Sequence, residues 1–421
     1  MTKRKLFGLF LFAGAMTVLS AAAGMAAGWT TNNNGYQVYV NDNGETVTNS
    51  WIKAEENGNT IWYYATSNGT LRSGGWQKVG DIYYYFDDDA VMQTGWIDDY
   101  TYWCDESGAM RTGWRYLPIP EEFAGYGEEY VSGSSAWFYF SPANGEKFKS
   151  DDSNVKAKKV NGTTYGFDSN GVMVTGWAKT EDTTPELAGY EYFAEKSDTH
   201  FTLGQRVQGT WYTTVGPKDD DDRYNNTGDL ATGDVEYFYF KSNGHPLVGT
   251  KDVCLVQKIN NKVFLFNHYG NPATGLNYGS KTPETTTVDE ADVYYCGESK
   301  SNSSAVAGKK ITITDDSGER ITIELLSSAK GVSGTRNGYL YYQGKLQKAE
   351  TGTKYQIALV DGKSYVVNQS GQIQKNKTRL IDADGNKFST NSDGTLKEVL
   401  DGNAPGYLEV TGPEIDIDER L

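Results

Sequence analysis

A unit of about 20 residues recurs along the first half of this chain, and most copies end in Gly-Trp. Five tryptophans follow one another at intervals of 22, 25, 20 and 18 residues: Trp29, Trp51, Trp76, Trp96 and Trp114. A period of this length is typical of repeat proteins, in which each unit packs on its neighbours. The usual division of a 421-residue chain into globular domains of about 150 residues therefore does not apply.

Each copy of the unit has the pattern of a β-hairpin. Two short runs rich in aromatic residues flank a polar turn that closes on glycine, as in NGNTIWYYATSNGTLRSGGW from residue 57. This pattern predicts hairpins. Fainter copies without the tryptophan begin at Glu236, Asn260, Asn337 and Asp361. A single hairpin is barely stable, so we predict an all-β fold: a solenoid of stacked β-hairpin repeats with two irregular insertions.

The strength of the repeat pattern divides the chain into segments. The predicted boundaries are a signal peptide at 1–27, Trp-rich repeats at 28–177, an irregular insertion at 178–235, degenerate repeats at 236–276, an insertion with a β-hairpin at 277–336, degenerate C-terminal repeats at 337–400 and an acidic tail at 401–421.

The N-terminus has the pattern of a secretory signal. Lys3, Arg4 and Lys5 precede an apolar run from 6 to 23, which is followed by small residues. We expect cleavage between Ala23 and Gly28, and the alternative is a membrane anchor. After cleavage no transmembrane segment is expected, and the acidic tail has no pattern of a covalent sorting signal. We therefore expect a secreted protein.

The net charge of the chain excludes one class of partner. The formal net charge of −16 argues against nucleic acid, because a phosphate-binding surface needs positive charge.

Three cysteines, Cys104, Cys254 and Cys296, are too few for a disulfide framework, and their odd number leaves at least one outside any intrachain pair. Small buried thiols are the simplest interpretation, and a bridge between Cys254 and Cys296 is the alternative.

Three motifs together resemble a known repeat superfamily: Thr-Gly-Trp, an aromatic triplet such as 62–64, and a Gly-x-Met turn such as 108–110. This pattern resembles the cell-wall-binding, or choline-binding, repeats, from Trp29 to about Leu400. Similar repeats occur in the glucan-binding regions of secreted glucosyltransferases and in the receptor-binding repeats of large toxins. The resemblance is specific for architecture and leaves the ligand open between choline, glucan and host glycan.

The resemblance implies ligand sites between consecutive hairpins. Each site would combine the tryptophan of Gly-Trp, the first aromatic of the triplet and an aromatic of the next hairpin. Carried onto this sequence, the first site comprises Trp51, Trp62 and Tyr84, the second Trp76, Tyr83 and Tyr102, and the third Trp96, Trp103 and Trp114. At the third site Thr101 stands where the first aromatic is expected.

The chemistry of such a site can be argued from the side chains alone. A quaternary ammonium has no N–H to donate, so aromatic faces are the groups that attract it. Sugar rings stack on the same faces and need hydrogen bonds at the rim. Alternatively, the aromatic rings fill the solenoid core. Met92, Met110 and Met173 follow the turns and are predicted to pack beneath them.

These observations predict a non-catalytic binding protein without cofactor or metal. Its expected partners are choline-bearing teichoic acid or other glycan polymers of the bacterial envelope; self-association is left open. The alternatives are a surface adhesin, a glucan- or host-glycan-binding protein, and a wall hydrolase. Stretches outside the repeat pattern reach only about 60 residues, small for a catalytic domain. His200, His245 and His268 show no metal-ligand spacing and are predicted to be surface residues.

Overall fold

The structure is a computed structural model that describes residues 26–56, 58–123, 134–151, 153–216, 235–299 and 302–417. Nearly all of the predicted signal peptide lies outside the described residues. The chain divides into two compact units: unit 1 holds 1–117 and 137–148, and unit 2 holds 118–136 and 149–421. None of the helices among the described residues has the length and apolar character needed to cross a bilayer.

Unit 1 is built of antiparallel hairpins that follow the predicted repeats. Its hairpins pair β1 with β2, β3 with β4, β5 with β6, β7 with β8 and β9 with β10. The strands are β1 Gly28–Thr31, β2 Gln37–Val40, β3 Ser50–Glu56, β4 Asn59–Ala65, β5 Gly75–Val79, β6 Ile82–Phe86, β7 Gly95–Ile97, β8 Tyr102–Cys104, β9 Gly113–Pro118 and β10 Ser135–Phe140, the last two of which extend by a few residues into unit 2.

Strands in unit 1 begin where the sequence places Gly-Trp. In β7 the glycine, Gly95, has a φ of 78°, a conformation that costs other residues steric strain. It turns the chain so that Trp96 enters the strand opposite Trp103. The same pairing puts Trp51 opposite Tyr64 and repeats in the next hairpin. Each Gly-Trp tryptophan therefore packs on an aromatic of its own hairpin.

Successive hairpins are joined by a recurring backbone hydrogen bond. The amide of Met92 donates to the carbonyl of Trp62 at 2.9 Å, and the amide of Met110 donates to that of Tyr83 at 2.9 Å. The side chains of the two methionines lie directly beneath the turn glycines of the following hairpins, Gly108 and Gly145. The prediction that the methionines pack under the turns is confirmed, including Met173 beneath Gly204.

Unit 2 is also all-β apart from short 3-10 helices at Glu121–Phe123, Glu186–Gly189, Pro283–Thr285 and Val288–Glu290. Its strands are β11 Lys156–Val160, β12 Thr163–Phe167, β13 Gly176–Lys179, β14 Tyr190–Phe193, β15 Thr210–Thr214, β16 Glu236–Phe240, β17 Cys254–Ile259, β18 Lys262–Phe266, β19 Gly275–Ser280, β20 Asp292–Cys296, β21 Lys310–Thr314, β22 Arg320–Glu324, β23 Gly334–Arg336, β24 Tyr339–Tyr342, β25 Lys345–Leu346, β26 Tyr355–Val360, β27 Lys363–Asn368, β28 Leu380–Ile381, β29 Lys387–Thr390 and β30 Leu396–Asp401.

Hairpins continue through the segments where the sequence pattern is weak. β13 pairs with β14 and β15 with β16, although a 3-10 turn and a long connection separate the partners. Further along, β18, β17, β19 and β20 form one sheet, in which β17 and β19 are parallel. β21 and β22 form the hairpin expected near Lys309. Both units are stacks of β-hairpins, and the predicted fold class is confirmed.

The cysteines are packing residues. Cys104 and Cys296 are buried, and no disulfide forms among the described residues. Burial raises the pKa of the Cys104 thiol to about 12, with a smaller contribution from the nearby Asp105 carboxylate. The Cys254 thiol lies 3.8 Å from the amide oxygen of Asn277. The alternative of a bridge between Cys254 and Cys296 is absent from the structure.

Candidate functional site

Clefts with a common plan lie between successive hairpins. The inner tryptophan is the second residue of its strand. The outer position lies two residues before the cross-strand partner of this tryptophan. The facing ring is an aromatic residue of the next hairpin. The plan recurs in cleft 1 Trp51, Trp62 and Tyr84; cleft 2 Trp76, Tyr83 and Tyr102; cleft 3 Trp96, Thr101 and Phe138; cleft 4 Trp177, Tyr190 and Phe238; cleft 5 Trp211, Tyr237 and Phe264. Trp29 follows it as well, with Tyr63 as facing ring and Gln37 in place of an outer ring.

The contact between inner tryptophan and facing ring is nearly constant. The ring centroids are 4.7 Å apart in cleft 1, 5.0 Å apart in clefts 2, 3 and 4, and 5.1 Å apart in cleft 5. All five pairs are T-shaped, with interplanar angles between 65° and 80°. Edge-to-face packing of this kind stabilises aromatic pairs by about 0.5–1.5 kcal/mol beyond burial. It also leaves two ring faces at an angle, which is the geometry of an aromatic cage.

Clefts 1 and 2 contain the residues that the sequence grouped together. In cleft 1, Trp51 contacts Trp62 at 6.4 Å as well as Tyr84, and Trp62 is 37% exposed. In cleft 2, Tyr83 occupies the position equivalent to Trp62 and is 43% exposed. An aromatic ring at the surface, backed by two more, is accessible to a ligand.

A carboxylate adjoins the rings of cleft 2. The hydroxyl of Tyr102 donates to Oε1 of Glu146 at 3.4 Å. The pKa of Tyr102 is raised, mainly by burial and further by the negative charge of Glu146. On the outside, Nζ of Lys78 lies 5.8 Å from the centroid of Tyr83. The outer ring therefore already contacts one cation through an exposed face.

The third predicted group is arranged differently from the prediction. Trp103 is the cross-strand partner of Trp96, and the facing ring is Phe138, at the position equivalent to Tyr84 and Tyr102. Trp114 opens the following hairpin, where it contacts Trp137 at 6.3 Å and Tyr139 at 5.1 Å. The sequence missed Phe138 because the chain between β9 and β10 is longer than in the preceding hairpins.

Cleft 4 is filled by its own polypeptide. Leu187, from the 3-10 turn between β13 and β14, forms a buried cluster with Val248 and Tyr269, against which Trp177 and Tyr190 pack. The indole N–H of Trp177 donates to the carbonyl of Val215 at 2.7 Å. The cluster packs against the outer position of cleft 4, where Tyr190 is only partly exposed, whereas the outer rings of clefts 1 and 2 are exposed.

Cleft 5 is open and was not predicted from the sequence. Its outer residue, Tyr237, is 39% exposed, close to the values for the outer rings of clefts 1 and 2. Trp211 stacks on Phe266 at 5.7 Å with an angle of 29° and meets Phe264 edge-on. The sequence feature that could have indicated cleft 5 is the aromatic triplet at 237–239. It lies too far from Trp211 in sequence for the two to be assigned to one hairpin.

Buried ionisable groups lie beside the hairpin β13–β14. Nη1 of Arg206 lies 2.8 Å from Oε1 of Glu191, and Nε2 of His245 lies 3.3 Å from Glu181 and 3.8 Å from Glu191. Oε2 of Glu191 is buried without a hydrogen-bond partner in the described part of the chain. Burial raises the pKa of Glu191 to about 7, although Arg206 opposes the shift.

Two histidines differ from the prediction that they lie at the surface. His245 is buried between the two carboxylates described above. His268 is largely enclosed, and this burial, together with Lys251, lowers its pKa to about 4. Within the described residues, no group of three or more His, Cys, Asp or Glu side chains is arranged to hold a metal ion.

Comparison with known proteins found similarity only among solved structures. No family model and no curated protein matches the chain. Choline binding protein F from Streptococcus pneumoniae is 20% identical over 77% of this chain and 99% of its own, with a TM-score of 0.33. CbpJ from the same organism is 20% identical over 83% of this chain and 100% of its own, with a TM-score of 0.33.

A third similar structure is the modular autolysin LytC from Streptococcus pneumoniae in complex with a synthetic peptidoglycan ligand. It is 16% identical over 79% of this chain and 55% of its own, with a TM-score of 0.31. The similarity covers only part of the autolysin chain.

Proposed function

We propose that this protein is a secreted, non-catalytic cell-wall-binding protein that holds quaternary ammonium groups of envelope polymers, such as choline, in the open aromatic clefts. The observation that carries the proposal is the recurrence of one three-ring arrangement, with an exposed outer ring, in clefts 1, 2 and 5. Rings that served only as core would have no reason to leave the same position exposed three times.

The rings suit a cation better than they suit a neutral ligand. Each open cleft offers an inner tryptophan face and a facing ring at a steep angle, and a quaternary ammonium gains about 0.5–2 kcal/mol from each such ring. Cleft 2 adds the carboxylate of Glu146 beside Tyr102, and the chain as a whole carries a formal charge of −16. Both favour a cationic ligand.

Choline titration of the full chain tests the proposal, with tryptophan fluorescence as the readout. Trp62→Ala removes the exposed ring of cleft 1, and we expect its site to weaken roughly tenfold because one cation–π contact is lost. Tyr36→Ala, which also removes an exposed ring but from outside the clefts, should bind as the unmodified chain does. If a glucan oligosaccharide competes and choline does not, the ligand is a sugar and the cation assignment is wrong.

The non-catalytic part of the proposal has its own test. The purified mature chain should produce no clearing on zymograms of peptidoglycan, α-glucan or teichoic acid, since the described chain is taken up by hairpins and their connections. A clearing band that disappears when one carboxylate is replaced would show that the chain is a hydrolase.

A further inference from the structure

Cleft 3 differs from the open clefts at two positions. Its outer position is Thr101. Its turn position, the residue that bridges back to the end of the facing hairpin's second strand, is Lys147, where clefts 1 and 2 have Met92 and Met110. The equivalence rests on the backbone, because the amide of Lys147 donates to the carbonyl of Thr101 at 2.9 Å, just as the two methionine amides donate to their outer residues. Lysine thus replaces methionine in an otherwise conserved local geometry.

The Lys147 ammonium lies where the cleft would receive a cation. Its Nζ is 5.1 Å from the centroid of Trp96 and 5.7 Å from that of Phe138, the inner and facing rings of cleft 3. The residue is only 9% exposed. Both distances are within the range of about 6 Å for cation–π attraction. The two rings therefore already hold one positive charge.

We propose that Lys147 is a built-in cation that closes cleft 3 to quaternary ammonium ligands and so determines which clefts bind them. A second cation at these rings would meet a like charge at short range in a site with little water, which is strongly unfavourable. The inference rests on the proposed function, because it concerns the choice among clefts of one ligand class.

The substitution at the outer position is consistent with this role. An aromatic ring at position 101 would contact only a ligand that enters the cleft from solvent. Cleft 3 has the hydroxyl of Thr101 there, so it lacks this contact. Burying an ammonium costs free energy unless it is compensated, and contact with two ring faces supplies part of the compensation. Lys147 thereby acts as a fixed internal equivalent of the ligand that the open clefts take from solution.

The test gives cleft 3 the two side chains in which it differs from the open clefts. In the full chain, Lys147→Met combined with Thr101→Tyr restores the turn methionine and the outer ring. Equilibrium dialysis should then give one more choline bound per chain than the unmodified protein. Thr101→Tyr alone is the matched control and should add none, since the ammonium remains in place.

The outcomes separate this inference from the proposed function. If the unmodified chain binds choline and the doubly substituted chain, folded by circular dichroism and melting, gains no site, the role of Lys147 is wrong and the function stands. If the unmodified chain binds none and the double variant binds one, the function fails and the role of Lys147 stands.

A second measurement needs no ligand. Reductive methylation followed by mass spectrometry should modify Lys147 at least tenfold more slowly than Lys78, which also lies over a ring but has a half-exposed side chain. Equal rates would show that the ammonium is not held between the rings, which would overturn the inference.

Discussion

At the scale of single residues, replacements at a few equivalent positions change the chemistry of a cleft while the backbone stays the same. The turn position holds Met92 in cleft 1 and Lys147 in cleft 3, and Arg206 follows the same backbone pattern against β12. Arg206 pairs there with Glu191, which stands at the position of a facing ring. The side chains around Arg206 therefore form an ion pair at the positions where clefts 1 and 2 have aromatic rings.

Glu191 should make stability depend on pH. Its folded-state pKa of about 7 is above the ordinary value of 4.5, chiefly because of burial, so the folded chain binds the proton more tightly than the unfolded chain. The stabilising contribution is complete below about pH 4.5 and is lost as pH rises through 7, and the whole effect is about 3 kcal/mol. Denaturant unfolding between pH 4.5 and 8 measures it.

Glu191→Gln is the control, because the amide cannot ionise. The free energy of unfolding of the unmodified chain should fall with pH relative to this variant. A relative rise with pH would show that Arg206 outweighs burial and that the carboxylate is charged throughout.

At the scale of the hairpin, the side chain at the turn position locks one unit to the next. Met92 lies against the α-carbon of Gly108, so a Cβ at that glycine would overlap its thioether. Both Gly108 and Gly95 have a positive φ, 76° and 78°, but at Gly95 an added Cβ would meet no atom within 4 Å. The two glycines separate the effect of backbone conformation from the effect of packing between hairpins.

Gly95→Ala should therefore cost only the strain of the left-handed backbone, about 1–2 kcal/mol. Gly108→Ala should cost that amount plus about 1 kcal/mol or more, because Met92 must leave its place beneath the turn. Thermal melting of the two variants compares the losses directly. Equal losses would mean that the methionine relocates freely and does not lock the stack.

Sequence predicted the hairpins well because turn glycines and aromatic runs are local signals. Clefts 1 and 2 were predicted from the resemblance to the choline-binding repeats, which could be carried over because the tryptophan, the triplet and the next hairpin all fall within about 35 residues. Spacing failed where a long connection divides a hairpin. Phe138 takes its place through the pairing of β10 with β9, and Phe264 through the packing of β18 on β15. Neither relation is visible as a local motif.

At the scale of the whole molecule, the repeats have diverged into clefts with an exposed outer ring, a cleft whose rings contact Lys147, and a cleft whose outer position packs against the Leu187 cluster. All nine residues that the sequence singled out as ligand-binding precede residue 115, in the Trp-rich segment. The structure adds cleft 5, which lies in unit 2 and has an outer ring as exposed as those in unit 1. Ligand binding under the proposed function is therefore distributed over both units.

This distribution predicts that one substitution in each unit has the same effect. Tyr83→Ala in cleft 2 and Tyr237→Ala in cleft 5 each remove an exposed outer ring and leave the inner tryptophan and facing ring in place, so the fold should persist. Each variant should weaken one site roughly tenfold, since one of three rings is lost. At a choline concentration near the dissociation constant of the unmodified chain, occupancy of a site weakened tenfold falls from about one half to about one tenth. Equilibrium dialysis should therefore show each variant losing about 0.4 bound choline per chain and the double variant about 0.8. Tyr190→Ala in cleft 4, where the outer ring packs against the Leu187 cluster, should change the uptake of choline little. Unchanged uptake by folded Tyr237→Ala, alongside a loss in Tyr83→Ala, would confine binding to unit 1 and show that three rings in this arrangement are not sufficient for a site.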